Sequence, residues 1–198
     1  MLDLLRRCGL TCLILLASAA AHAVPWTIQV KDAAGRLLVD AVVAVVVRGK
    51  PAKAASSARA DMGQKDRQFT PQLLVIQTGT LVNFPNFDTV RHHVYSFSPI
   101  KVFEIKLYAG TPSEPVLFDK PGVATLGCNI HDRMSAHIIV VDTPVFTRTD
   151  ASGTARLELP AGEHQLQLWH EQMKSPQLQS QALVVGEAPG SSTVTISE

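Results

Sequence analysis

Val75-Ile76-Gln77-Thr78-Gly79-Thr80-Leu81-Val82-Asn83-Phe84 reads as strand, turn, strand. Aliphatic and β-branched residues fill both arms, and Thr78-Gly79 supplies the turn between them. Working outward, alternating runs of the same kind recur at residues 27–30, 102–107, 156–159 and 165–168. Period-two alternation buries one face of a strand and leaves the other to solvent. Ala34-Gly35, Pro121-Gly122, Ser152-Gly153 and Ala161-Gly162 punctuate these runs as further turns. No long stretch carries helical amphipathic spacing, so the expectation is an all-β chain of sandwich architecture.

The 198 residues have room for one ordinary domain or two small ones. With 46% hydrophobic and 18% charged residues, the chain can build a core and is not of disordered composition. A formal charge of +1 gives no pull toward nucleic acid or anionic lipid, so neither is an expected partner. Residues 1–23 read differently from the rest. Arg6 and Arg7 precede an apolar run over residues 10–20, and Ala21-His22-Ala23 follows with small residues at the positions a signal peptidase inspects. This predicts a secretory signal cleaved between Ala23 and Val24, and a periplasmic or secreted mature protein. The run is shorter than the ~20 apolar residues that span a bilayer, so no membrane span is expected after cleavage. Neither Cys8 nor Cys12 follows the run, where a lipoprotein cysteine would stand. Both leave with the signal, making Cys128 the only cysteine of the mature chain. A lone thiol in an oxidising compartment is a liability unless it is protected or used.

Two seams organise the remainder. Residues 50–64 are rich in Ala, Ser and Lys with little apolar periodicity and read as a linker or loop. Asp142-Thr143-Pro144 follows the apolar run Ile138-Ile139-Val140-Val141. The expected division is therefore front strands with a linker at 24–54, a central unit at 55–142 and a tail at 143–198. The front piece, residues 30–43, reads strand, turn, strand. The tail carries Thr149-Asp150-Ala151-Ser152-Gly153, Leu159-Pro160-Ala161-Gly162 and Leu166-Gln167-Leu168. Together these resemble the two halves of a carboxypeptidase-regulatory-like (transthyretin-like) sandwich, which implies a second small β-sandwich split by the central unit. The alternative is a front strand that simply joins the central sandwich.

The chemistry is concentrated in Gly127-Cys128-Asn129-Ile130-His131-Asp132-Arg133-Met134. This loop holds a thiolate, an imidazole and a thioether just before a strongly β run. An ion cycling between Cu(I) and Cu(II) suits soft sulfur together with imidazole, and two His, one Cys and a weak axial Met form the blue-copper arrangement. The remaining ligand must come from elsewhere in the fold. Its source is Arg91-His92-His93-Val94-Tyr95-Ser96-Phe97, which follows the strand pair quoted above.

With these residues in view, the segment 69–141 resembles the cupredoxins, particularly plastocyanin and amicyanin. In that family a strand pair with a Gly turn, ending in Asn, precedes a His-Asn-Val segment whose His is the first copper ligand. The Cys-x-x-His-x-x-Met spacing here is that of the amicyanin loop. Over nearly its whole mature length the chain is also similar to a group of exported proteins often labelled methylamine-utilisation proteins. The resemblance implies a Greek-key cupredoxin sandwich holding one type 1 copper through His92, Cys128, His131 and Met134. His92 falls on the first-ligand position and His93 on the following Asn. Adjacent strand residues point to opposite faces, so only one of the pair is expected to be the ligand, and the alignment favours His92. In the family that Asn tethers the ligand loops, a task the His93 ring nitrogens are suited to take over. The proline that stiffens the amicyanin loop is absent, and Arg133 places a cation beside the ligands.

Each residue taken alone has an ordinary reading: Cys as a small buried hydrophobe, Met as core filler, His as a surface residue. Their joint spacing is what points to copper. His137 reads as supporting a metal ligand or as simply packed, His164 and His170 as structural, Trp26 and Trp169 as core of the flanking sandwich, and Asp132 as solvent-exposed or as orienting a ligand. The resulting expectation is single-electron transfer between transient protein redox partners, with the exposed edge of His131 as the port and apolar loop residues as a small docking patch. The alternative is periplasmic copper binding, sensing or delivery, since the same ligands suit Cu(I). A structural module that has lost its metal function is a third reading, which the retained ligand set opposes. An enzyme is not expected: there is no His-x-His pair for a second copper, and no catalytic nucleophile outside the copper loop.

Overall fold

A computed structural model describes residues 22–131 and 133–197. The predicted secretory segment up to Ala21, with Cys8 and Cys12, lies outside the described residues, and so does Asp132. The described chain has 17 strands and no helix, as the alternating runs predict. Among the described residues, no helix is long and apolar enough to cross a membrane. The five glycines predicted to turn the chain, at positions 35, 79, 122, 153 and 162, all have positive φ. Gly79, at +94°, closes the turn that opened the sequence reading, where a side chain would be strained.

The strands form two sandwiches. In the first, the strand Ala23–Lys31 lies between Thr154–Pro160, antiparallel, and Gly190–Thr195, parallel. Facing it, Val42–Val46 lies between Phe146–Arg148 and Gly162–Trp169, and Gln179–Val185 completes the sheet. The front strands are thus interior strands of sheets otherwise built from the tail, and the front piece does not join the central sandwich. In the central sandwich, a five-stranded sheet runs in the order Leu73–Gln77, Ser135–Val141, Gly122–Cys128, His92–Ser98, Lys101–Tyr108. A three-stranded sheet covers it, in the order Val116–Phe118, Thr80–Asn83, Arg59–Asp61, and a hairpin joins Gly63–Lys65 to Gln68–Thr70.

Two departures from the sequence reading have physical causes. Residues 50–64 are only partly a loop. Arg59–Asp61 pairs in parallel with Thr80–Asn83, and Gly63–Lys65 pairs with Gln68–Thr70. Three-residue strands are too short to show a period, and main-chain hydrogen bonds hold them. Second, the sandwiches pack on each other. Val43 and Val45 point into the first core, whereas Val42 and Ala44 share a separate cluster with Val123, Ile139, Val141 and Trp169. Ile138 and Val140 point the other way, into the core of the central sandwich. The uninterrupted apolar runs at 41–47 and 138–141 therefore belong to strands buried on both faces. Trp169 lies in this shared cluster and Trp26 in the first core. The seam at 142–144 is stitched across: Thr143 Oγ1 donates to the Val45 carbonyl at 2.7 Å, and Thr78 Oγ1 donates to Asp142 Oδ1 at 2.6 Å.

Candidate metal centre

The site forms at one end of the central sandwich, where two neighbouring strands of the five-stranded sheet bring their residues together. The strand His92–Ser98 alternates, with His92, Val94 and Ser96 buried and His93 and Tyr95 half-buried on the other face. Cys128 ends the strand Gly122–Cys128, opposite Val94. An irregularity in pairing between His92 and Val94 re-aims the end of that strand against Lys101–Tyr108. The result is that His92, fully buried, turns Nδ1 toward Cys128 Sγ at 3.7 Å.

His131 follows in the loop. Its ring lies 5.1 Å from that of His92, centroid to centroid. One ligand atom each from His92, Cys128 and His131 lie within 4.8 Å of one another. His131 Nδ1 is buried without a hydrogen-bond partner, a costly state for a polar atom unless something occupies the space it faces. Met134 is buried in the same cluster as Cys128, and its amide donates to the His131 carbonyl at 2.9 Å, closing the loop into a turn. Two imidazoles, a thiol and a thioether are the donor set a copper ion prefers. The residues present fit that group.

His93 is turned away from this cluster, and its Nε2 meets Glu104 Oε1 at 2.8 Å. The expectation that its ring tethers the loops is corrected on this point. The tether is main-chain: the Asn129 amide donates to the His93 carbonyl at 3.1 Å. A backbone bond serves because the strand register already brings the two segments together. Of the other histidines, His137 packs on Trp169 with centroids 5.0 Å apart, and burial lowers its pKa. His164 and His170 bond to the carbonyls of Pro160 and Val39. Arg133 is exposed and lines a cavity with Arg67, Gln72, His131 and Met134. Ile130, beside His131, is 48% exposed.

One residue of the site had no sequence signal. Asp88 Oδ2 accepts from His92 Nε2 at 2.8 Å, on the side of the ring away from Cys128. The same carboxylate accepts the amides of Asp66, at 2.7 Å, and Arg67, at 3.0 Å. Burial pushes its pKa up, but the Arg67 and Asp66 amides and His92 more than offset this and hold it below the ordinary value. The i, i+4 spacing of Asp88 and His92 was visible, but it means little in a loop whose path is unknown.

No protein-family model matches the chain, and no curated protein matches it. Among solved structures it is similar to a copper-containing nitrite reductase from Thermus scotoductus, with 26% identity and a TM-score of 0.40 over 48% of this chain and 25% of that one. It is similar to a purple cupredoxin from Nitrosopumilus maritimus, with 21% identity and a TM-score of 0.36 over 42% and 99%. Amicyanin from Paracoccus versutus gives 18% identity and a TM-score of 0.35 over 50% and 96%. The chain spans a quarter of the nitrite reductase's length and nearly all of the other two.

Proposed function

We propose that this is an exported type 1 copper protein, its central sandwich a cupredoxin, that carries single electrons between protein redox partners. The observation that carries the reading is the convergence of His92, Cys128 and His131 within 4.8 Å, with an unpartnered Nδ1 on His131. His92, Cys128, His131 and Met134 are the proposed ligands of one copper ion, which when bound would supply the Cu(I)/Cu(II) couple. The chain's own part is to hold the donors still. His92 and Cys128 sit on paired strands, so gain or loss of an electron would find the ligands already in place. Low reorganisation of this kind suits a carrier. The half-buried His131, with exposed Ile130 beside it, is the proposed port for electrons. Catalysis is not part of the proposal.

The first test is a visible and electron paramagnetic resonance spectrum of residues 24–198 loaded with Cu(II), beside Cys128→Ala. An intense thiolate-to-copper charge-transfer band that disappears in the variant is the expected result. A pale spectrum unchanged by the substitution refutes the carrier reading and favours copper delivery or a metal-free role. Release of residues 1–23 on export, read by mass spectrometry, tests the proposed localisation.

A further inference from the structure

We infer that Asp88 is a positioning residue for the metal centre, fixing the proton of His92 on Nε2 and tying that ring to the hairpin 63–70. The inference rests on the proposed copper site and concerns a residue outside the ligand set.

The argument starts at the hairpin. Asp66 and Arg67, at its tip, have φ of 55° and 58°, so both hold the left-handed conformation. Their consecutive amides point the same way and converge on one carboxylate, Asp66 on Oδ1 and Arg67 on Oδ2. Successive amides in such a turn form a small anion-binding concavity. Asp88 is held from its own side as well, since its amide donates to Asn86 Oδ1 at 2.9 Å. The Asn86 side chain in turn donates to the Val90 and Tyr108 carbonyls at 2.9 and 3.1 Å. The carboxylate is therefore fixed before it meets His92.

An ionised carboxylate only accepts hydrogen bonds. Facing His92 Nε2 at 2.8 Å, it selects the tautomer with the proton on that nitrogen. Nδ1 is then left with its lone pair toward Cys128 Sγ, the state a metal ligand needs. An alanine at position 88 removes the acceptor, so nothing then holds the ring proton on Nε2.

The test uses apo protein labelled with 15N in histidine, wild type and Asp88→Ala, with the His92 signals assigned by comparison with His92→Gln. Wild type is expected to show protonated Nε2 and bare Nδ1, and Asp88→Ala a substantial shift toward protonated Nδ1. Cu(II) affinity, measured by competition with a chelator, should fall about 10- to 100-fold in Asp88→Ala, and the reduction potential should rise as His92 becomes a weaker donor. Wild-type His92 with its proton on Nδ1 overturns the inference even if the variant does not fold. An unshifted tautomer with unchanged affinity in a folded variant overturns it as well. Failure of the copper reading is seen separately, as a wild-type protein that binds no Cu(II) whatever its tautomer.

Discussion

Replacing Ile139 by alanine tests whether the two sandwiches form one folded body. Ile139 is fully buried in the cluster shared by the sandwiches, among Val42, Ala44, Val123, Val141 and Trp169. Its neighbour Ile138, also fully buried, faces the core of the central sandwich alone. Truncation to alanine removes three carbons, about 2.4 kcal/mol at ~0.8 kcal/mol per buried methylene. The cavity left behind adds to this, for about 2–5 kcal/mol in all. Were the sandwiches independent, Ile139 would face water, and its truncation would cost within about 0.5 kcal/mol like other surface changes. The assay is equilibrium urea unfolding followed by far-ultraviolet circular dichroism and by tryptophan fluorescence. Trp169 reports the shared cluster and Trp26 the first core. Ile138→Ala serves as the benchmark. Similar losses for both variants, with coincident transitions by the two probes, are expected. A loss below about 0.5 kcal/mol for Ile139→Ala beside a full loss for Ile138→Ala refutes the shared core.

Three further outcomes follow from other contacts. A Cβ added at Gly127 would lie 2.6 Å from the Tyr95 ring, so Gly127→Ala should cost about 1–3 kcal/mol by overpacking. Adding Tyr95→Ala should recover much of that cost, and a double-mutant cycle by urea unfolding measures the coupling. His93→Ala should keep the charge-transfer band and copper stoichiometry, because its ring faces Glu104 and not Cys128; loss of the band by absorption titration would reverse the assignment of the two histidines. Thr149 Oγ1 accepts the Ala41 amide and donates to the Leu38 carbonyl while buried, so Thr149→Val should lower stability by about 1–3 kcal/mol in thermal or urea denaturation.

The sequence was most informative where physics is local. Alternation and glycine turns announced the strands, because side-chain period and backbone sterics act within a few residues. The loop from Cys128 to Met134 announced its chemistry, because a short loop can gather donors around one point. The choice between His92 and His93 was also legible in principle, since a strand sends neighbours to opposite faces, although the register came from outside the segment itself. Illegible were features that depend on distant partners. The short strands at 59–61 and 63–65 exist through their pairing with residues 80–83 and 68–70. The double burial of Val42–Val46 could be suspected from its unbroken apolar run, but what covers its second face is set by the central sandwich.

Asp88 shows the limit most clearly. It is a polar residue in a loop, and nothing in its neighbours separates it from a solvated aspartate. Its role needs three things together: a hairpin tip with two left-handed residues, a fixed Asn86, and the buried face of His92. Each is supplied by a different part of the chain. A ligand can be recognised by its element and spacing, because the metal dictates which atoms it accepts. The residue that orients the ligand can be any acceptor the fold brings within reach, so its identity is a property of tertiary structure. The candidate ligands were therefore readable in one dimension, and the group that sets the proton on the first of them only in three.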